Sequence, residues 1–198
     1  MSTTSSGPRT RMSPQQRREQ LLDLGVRLFA TRSLDEISID LLAQEAGISR
    51  GLLYHYFGDK VAFREAVVRR AADDLVAQTE PPAEGDEIAK LLHSVAAYVD
   101  FVDANYEGYL SLVRGAASEP ALRAVYDDAF RALGERFFDI GSSIVPDTPA
   151  SRLLVRGWQA MTEELVLAWK AGETDLTRDQ LLDLLVASLP ALMGALPA

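Results

Sequence analysis

Cysteine is absent from all 198 residues, and histidine occurs only twice. Disulfides and thiolate metal sites are therefore excluded. A cytoplasmic address suits such a chain. Also missing is any uninterrupted apolar run near the ~20 residues needed to span a bilayer, so no membrane is expected as a partner. The first twelve residues, MSTTSSGPRTRM, hold no apolar core of the kind a secretory leader needs. No stretch alternates apolar and polar residues as a half-buried strand would. A glycine-rich phosphate loop and a nucleophile elbow are both lacking. A di-iron bundle would need Glu three residues before His, but Leu52 and Lys90 stand three before His55 and His93. With so little catalytic equipment, an enzyme is not expected, and neither is a cofactor or a metal.

Hydrophobic residues make up 47% of the chain, enough for a real core. The formal net charge is -9, unevenly spread: residues 1–70 carry 11 Lys/Arg against 8 Asp/Glu, and the remainder 9 against 21. A basic first third can meet a polyanion while the acidic remainder faces away, because attraction fades over a Debye length of ~8–10 Å. Chance asymmetry in a soluble protein would look the same.

Helical signals follow one another along the chain. Residues 1–12 read as a disordered arm, with Arg9 and Arg11 as loose basic groups. Ser13-Pro14-Gln15-Gln16 combines a cap, a proline at the first helical position and a capping box. The helix it opens carries Leu21, Leu22, Leu24, Val26, Leu28 and Phe29 on one broad face and runs to about Thr31. Ser38 can cap a second helix over 39–46, with Leu41 and Leu42 inward, closed by Gly47. Ser49 can cap a third, limited by Gly58 to about two turns. Asp59 can cap a fourth, whose apolar face holds Phe63, Ala66, Val67 and Ala71. A helix, a glycine pivot and a short second helix form a helix-turn-helix, with the flanking helices completing its core.

PPAEGD at 81–86 marks a boundary. Beyond it the apolar residues repeat at helical spacing: Ile88, Leu91, Leu92, Val95, Val99 and Val102; then Leu122 to Ile140; then Leu154, Trp158, Met161, Leu165 and Trp169. The whole chain reads as all-α. The final helix is apolar around most of its circumference, so it needs cover on several sides. A second subunit can supply that cover, and so can the chain itself. Pro190 should kink or weaken this helix.

The stretch GISRGLLYHYFGDK, residues 47–60, gathers Arg50, Tyr54, His55, Tyr56 and Lys60 on and around a very short helix. Arg50 can pair bidentately with a guanine edge, or serve as a phosphate contact or plain surface charge. Gly51 leaves room for close approach to a groove. Leu52 can touch a thymine methyl or join the core, while Leu53, Tyr56 and Phe57 suit packing. Lys60 can meet a phosphate beside the outward N–H groups of the fourth helix. Ser38 and Ser49 can cap, bond phosphates, or do both.

Residues 21–68, LLDLGVRLFATRSLDEISIDLLAQEAGISRGLLYHYFGDKVAFREAVV, resemble the DNA-binding region of the TetR family of transcriptional regulators. The likeness lies in the FA-containing end of the first helix, then SIDLLAQEAGIS, then LLYHYFGDK. Two departures stand out. Leu52 sits where the family often has Thr, and Ser33 where many members have a Gly whose left-handed turn Ser would strain.

The resemblance implies an N-terminal helix-turn-helix DNA-binding domain at 13–58, a connecting helix at 59–80, and a helical ligand-binding and dimerisation domain at 81–198. It implies a double-stranded DNA operator, a small-molecule effector and a homodimer as partners, and makes Tyr54 and His55 phosphate contacts. His93, Tyr98, Phe101, Tyr106, Tyr109, Arg114, Phe130, Trp158, Met161 and Thr162 are candidates to line its effector pocket. Leu154, Leu165, Leu182, Leu185, Leu189 and Leu192 are candidates for the dimer interface. The competing expectation is a helical ligand-binding or scaffold protein without operator-specific DNA binding, which leaves the 47–60 cluster unexplained.

Overall fold

In a computed structural model that describes residues 13–115, 119–141 and 146–196, the helical expectation holds, and no strand occurs among the described residues. The expected arm at 1–12, with Arg9 and Arg11, lies outside them. Helix α1 (Pro14–Thr31) starts on the expected capping box: Gln16 N donates to Ser13 Oγ at 3.2 Å, and Ser13 N to Gln16 Oε1 at 2.8 Å. It buries Leu21, Leu22, Leu28 and Phe29. Helix α2 (Ile39–Ala46) ends at Gly47, whose φ of 64° is the left-handed conformation that glycine adopts without a Cβ penalty. Helix α3 (Arg50–Phe57) stops at Gly58, φ 80°. Helix α4 (Lys60–Gln78) begins on Asp59, whose carboxylate accepts from Ala62 N at 2.8 Å.

The turn after α1 needs no left-handed residue. Ser33 has a negative φ, since every positive φ among the described residues falls on glycine. Its backbone N–H and its hydroxyl both donate to the Glu36 carboxylate, at 2.9 and 3.0 Å. These bonds hold the Glu36 carboxyl below its usual range. A side-chain cap thus replaces the glycine turn that strain arguments called for.

Helices α5 (Glu87–Ala104) and α6 (Tyr106–Gly115) are separate, divided at Asn105. Asn105 Nδ2 donates to the Phe101 carbonyl at 2.9 Å and closes α5 without a glycine or proline. Ile88 and Leu92, part of the apolar repeat of α5, are exposed, while Ser94, Tyr98 and Phe101 are buried with the rest of it. Helices α7 (Pro120–Ile140), α8 (Pro149–Lys170) and α9 (Arg178–Gly194) complete the order. Pro190 does not interrupt α9; it removes the N–H that would serve the Val186 carbonyl, on an exposed part of the helix.

Helix α1 is held between α4 and α6 by two glycines that permit close approach. A Cβ on Gly25 would lie 2.5 Å from Val67 Cγ2, and one on Gly108 would lie 2.3 Å from the Phe29 carbonyl oxygen. Across the α1–α6 contact, Leu34 N donates to Ser111 Oγ at 3.0 Å. Helix α7 packs along α4, and its Arg136 guanidinium donates to the Val76 carbonyl at 2.8 Å and binds Glu80 at 2.6 Å. One buried cluster runs from Leu21 to Leu189.

Candidate nucleic-acid interface and effector cavity

Leu53 and Phe57 fix α3 to the body of the protein. Both are buried, and the Phe57 ring meets Phe63 edge-on at 5.0 Å between centroids, with the Arg18 guanidinium 5.3 Å from its own. Anchoring by Leu53 and Phe57 leaves Arg50, Gly51, Tyr54 and His55 exposed, with Lys60 exposed at the first turn of α4. Leu52 and Tyr56 are half-buried. His55 and Tyr56 stand edge to face at 5.5 Å.

The two serines act as caps. Ser38 Oγ accepts from Leu41 N at 3.1 Å, and Ser49 Oγ from Leu52 N at 3.3 Å. Each hydroxyl proton is still available to an acceptor beyond the helix. Arg50 makes an ion pair with Asp40 in the first turn of α2. Sequence reasoning missed this partner, because only the α2–α3 crossing brings residues ten apart together. Both side chains are more than half exposed, so the pair orients Arg50 rather than burying it.

Among the helices beyond α3 lie two voids of about 30 Å³ each, room for little more than a water. The first is bounded by Ser94, Val95 and Tyr98 of α5, Phe130, Leu133, Arg136 and Phe137 of α7, and Trp158, Gln159 and Thr162 of α8, with Thr79 at its edge. The second is bounded by Phe101, Tyr109, Leu112 and Tyr126, and by Phe29 of α1 and Val68, Ala71 and Leu75 of α4. Phe130 and Leu133 border both.

Ser94 Oγ and Thr162 Oγ1 are buried beside the first void and have no hydrogen-bond partner. An unmet buried hydroxyl costs about 1–3 kcal/mol. Glu163 accepts from Tyr109 at 2.6 Å and from Tyr126 at 2.8 Å, two residues that border the second void. The Tyr98 and Tyr109 hydroxyls lie 2.9 Å apart; Tyr109 has spent its one proton on Glu163, so Tyr98 is the donor. All three phenols are pushed well above their usual range, by burial first and then by neighbouring charge. Nothing in the spacing of residues 98, 109, 126 and 163 announced this network.

The expected pocket residues divide accordingly. Tyr98, Phe130, Trp158 and Thr162 border the first void, and Phe101, Tyr109 and Phe130 the second. His93, Met161 and Arg114 point to the surface, with Arg114 beside a separate cleft near Leu34 and Ser111; Tyr106 is half-buried and borders neither void. The expected interface residues divide too. Leu182, Leu185 and Leu189 are buried by the chain's own packing, because α5 and α8 both lie against α9. Leu154 and Leu165 are half-buried. On α8 and α9 the exposed large apolar side chains are Leu192 at 37%, Met161 at 36%, Leu153 at 67% and Leu184 at 47%, the last two not among the expected interface residues.

The sequence model described as bacterial regulatory proteins of the tetR family matches residues 21–67. A TetR-family transcriptional regulator from Streptomyces coelicolor is 37% identical and superposes with a TM-score of 0.84, over 92% of this chain and 82% of that one. The chain belongs to the TetR family. Similarity extends to FasR, a transcriptional activator of Mycolicibacterium smegmatis, at 26% identity over 85% of this chain and 79% of the relative. KstR2, a transcriptional repressor of Rhodococcus jostii, is 33% identical over 61% of this chain and 54% of its own length. As a TetR-family transcriptional regulator, the protein is not an enzyme. No helix among the described residues is long and apolar enough to cross a membrane.

Proposed function

We propose that this TetR-family regulator is an effector-released repressor that binds a near-palindromic operator as a cytoplasmic homodimer. The observation that carries the reading is α3: Leu53 and Phe57 anchor it, and its outward side offers Arg50, Gly51, Tyr54 and His55 with Lys60 alongside. A helix so held can enter a major groove. Arg50, oriented by Asp40, then reads a base edge. Tyr54, His55, Lys60 and the Ser38 and Ser49 hydroxyls fix register on phosphates, and Leu52 adds an apolar contact. In this reading residues 13–58 bind DNA, 59–80 connect, and 81–198 hold effector and partner.

The dimer face is the outward side of α8 and α9, where Leu153, Leu184 and Leu192 accompany the exposed small residues Gly157, Ala160, Ala187 and Ala191. Two-fold pairing there sets two α3 helices against half-sites about one DNA turn apart, or a multiple of it. The tightness of the voids supports an effector-driven change of shape. Filling them forces α5, α7 and α8 apart, and α4, continuous from Lys60 to Gln78 and tied to α7 through Arg136, carries the shift to α3. The effector must bind one arrangement better than the other; a difference of ~1–3 kcal/mol changes operator affinity about 5- to 150-fold.

Selection of bound genomic fragments by the purified protein tests this. A recurring inverted repeat overlapping promoter elements is expected. A repeat placed upstream of them would favour activation, the sense of the FasR name. Recovery of fragments with no shared motif, or a monomer at micromolar concentration by sedimentation, would overturn the reading.

A further inference from the structure

The first void has more polar lining than free polar groups. Thr79 Oγ1 donates to the backbone of its own helix, at 2.9 Å to the Leu75 carbonyl. Arg136 is engaged by Val76, Thr79 and Glu80. Gln159 Nε2 donates to the Phe130 carbonyl at 2.9 Å, and Trp158 Nε1 to Ser188 Oγ at 2.8 Å, so Trp158 presents only its ring. Tyr98 is committed to Tyr109. Ser94, 3% exposed, and Thr162, 5% exposed, keep unpartnered hydroxyls. Those two hydroxyls, on facing helices, are the buried atoms of this lining left without a hydrogen-bond partner, and they are open to an incoming molecule.

The charges around them select against an ion. Arg136 is the cation among the described lining residues, and it is already held by Glu80. Glu163, next in sequence to Thr162, places a buried carboxylate behind the Tyr98 wall. An acidic ligand would meet that carboxylate without a free counter-charge, and a basic one would find Tyr109 and Tyr126 already occupying Glu163. The remaining walls, Val95, Leu133, Phe137, Phe130 and Trp158, are apolar.

The second void begins where Phe130 and Leu133 end the first. Phe130, which borders both, is half-buried and stacked on Tyr126 at 5.4 Å. Beyond it lie Phe29 of α1 and Val68 and Ala71 of α4. A ligand that displaced Phe130 would touch the helices that carry α3.

We propose that the effector is a neutral, elongated, mainly apolar molecule with one hydrogen-bonding oxygen, held by Ser94 and Thr162, whose body passes Phe130 to rest on α1 and α4. This assignment deepens the effector-released reading above and rests on it. A carbonyl or hydroxyl oxygen accepts from the two free hydroxyls, and the chain behind it replaces the voids with apolar contact.

The test uses the whole 198-residue chain, Trp158 emission as the readout, and three straight-chain probes of equal length: a medium-chain methyl ketone, the alkane and the carboxylate. The ketone should bind best, roughly three- to tenfold tighter than the alkane, with the carboxylate weakest. Ser94→Ala with Thr162→Val should erase the preference for ketone over alkane without lowering the melting temperature, since each change removes an unmet group. Lengthening the ketone in wild-type protein should keep improving affinity beyond the size the first void admits, and Ala71→Leu should blunt that gain more for the long ketone than the short. Equal binding of ketone and alkane, tightest binding of the carboxylate, survival of the ketone preference in the double variant, or no saturable binding would each overturn the proposal. Labelled operator is followed in parallel. Ketone binding without operator release would fault the repressor reading and leave the ligand assignment standing.

Discussion

Gly108→Ala probes the junction on which regulation depends. The new methyl carbon would lie 2.3 Å from the Phe29 carbonyl oxygen and 2.4 Å from Phe29 Cδ2. Ordinary contact begins near 3.4 Å, so α1 and α6 must separate by about 1 Å at that point. The Phe29 ring borders a void and can yield partly, but its carbonyl belongs to the α1 backbone and cannot yield alone. Overpacking of this kind costs about 1–3 kcal/mol, against a helix-propensity gain of about 0.5–1 kcal/mol for replacing glycine. The central values, about 2 against about 0.75 kcal/mol, leave a net loss of about 1 kcal/mol that should appear in urea denaturation, with the melting temperature falling about 2–4 °C per kcal/mol. Gly25→Ala is the comparison: its obstacles are side-chain atoms, the Val67 Cγ2 methyl at 2.5 Å and the Phe63 ring at 3.1 Å, but Val67 is fully buried and β-branched within α4, so it yields by a shift of that helix and a loss of similar size is expected. Because α1 carries Arg18 against Phe57, Gly108→Ala should also weaken operator binding while leaving α3 untouched in sequence. A variant as stable as wild type would refute the claim that this contact fixes α1 against α6.

Three further outcomes are expected. Asp40→Asn should release Arg50 and raise affinity for random DNA more than for operator, with stability changed by less than about 1 kcal/mol because the pair is exposed; equal effects on both DNAs in a fluorescence competition would remove Asp40 from the account. The phenols of Tyr98, Tyr109 and Tyr126 are raised in the folded protein, so the stability they contribute is complete below the unfolded value near pH ~10 and is lost as pH rises beyond it. An alkaline titration should show their tyrosinate absorbance appearing only with unfolding, and early ionisation of all six tyrosines would contradict the network. Gly157→Ala meets nothing within 4 Å in one subunit, so it should raise subunit stability by about 0.5–1 kcal/mol yet weaken dimerisation if α8 faces a partner; an unchanged dimer constant by sedimentation would move the interface elsewhere.

The first four helices were legible because their ends are written in local chemistry. Ser13, Ser38, Ser49 and Asp59 cap, and Gly47 and Gly58 stop, each through bonds spanning a few residues. Legibility failed where tertiary packing decided. The α5–α6 division at Asn105 carries no glycine or proline. In α9 the apolar residues surround the helix, so periodicity could not say which were taken by α5 and α8 and which were left outward. His93, Arg114 and Met161 had suitable chemistry for a pocket but sit on outward faces, a matter of helix rotation. The free hydroxyls of Ser94 and Thr162 are the converse case. Thr162 was among the candidates for its type alone, Ser94 was not, and only the bonding around them shows why they differ from other hydroxyls.

The most direct test of the DNA-reading role of α3 compares operator and random-sequence binding across a salt series for wild type, Arg50→Ala and Lys60→Ala. Arg50→Ala should lose about 1–3 kcal/mol of discrimination between the two DNAs. Lys60→Ala should weaken both alike and flatten the salt dependence by about one counterion. An operator preference undiminished by Arg50→Ala would contradict the base-reading role of α3.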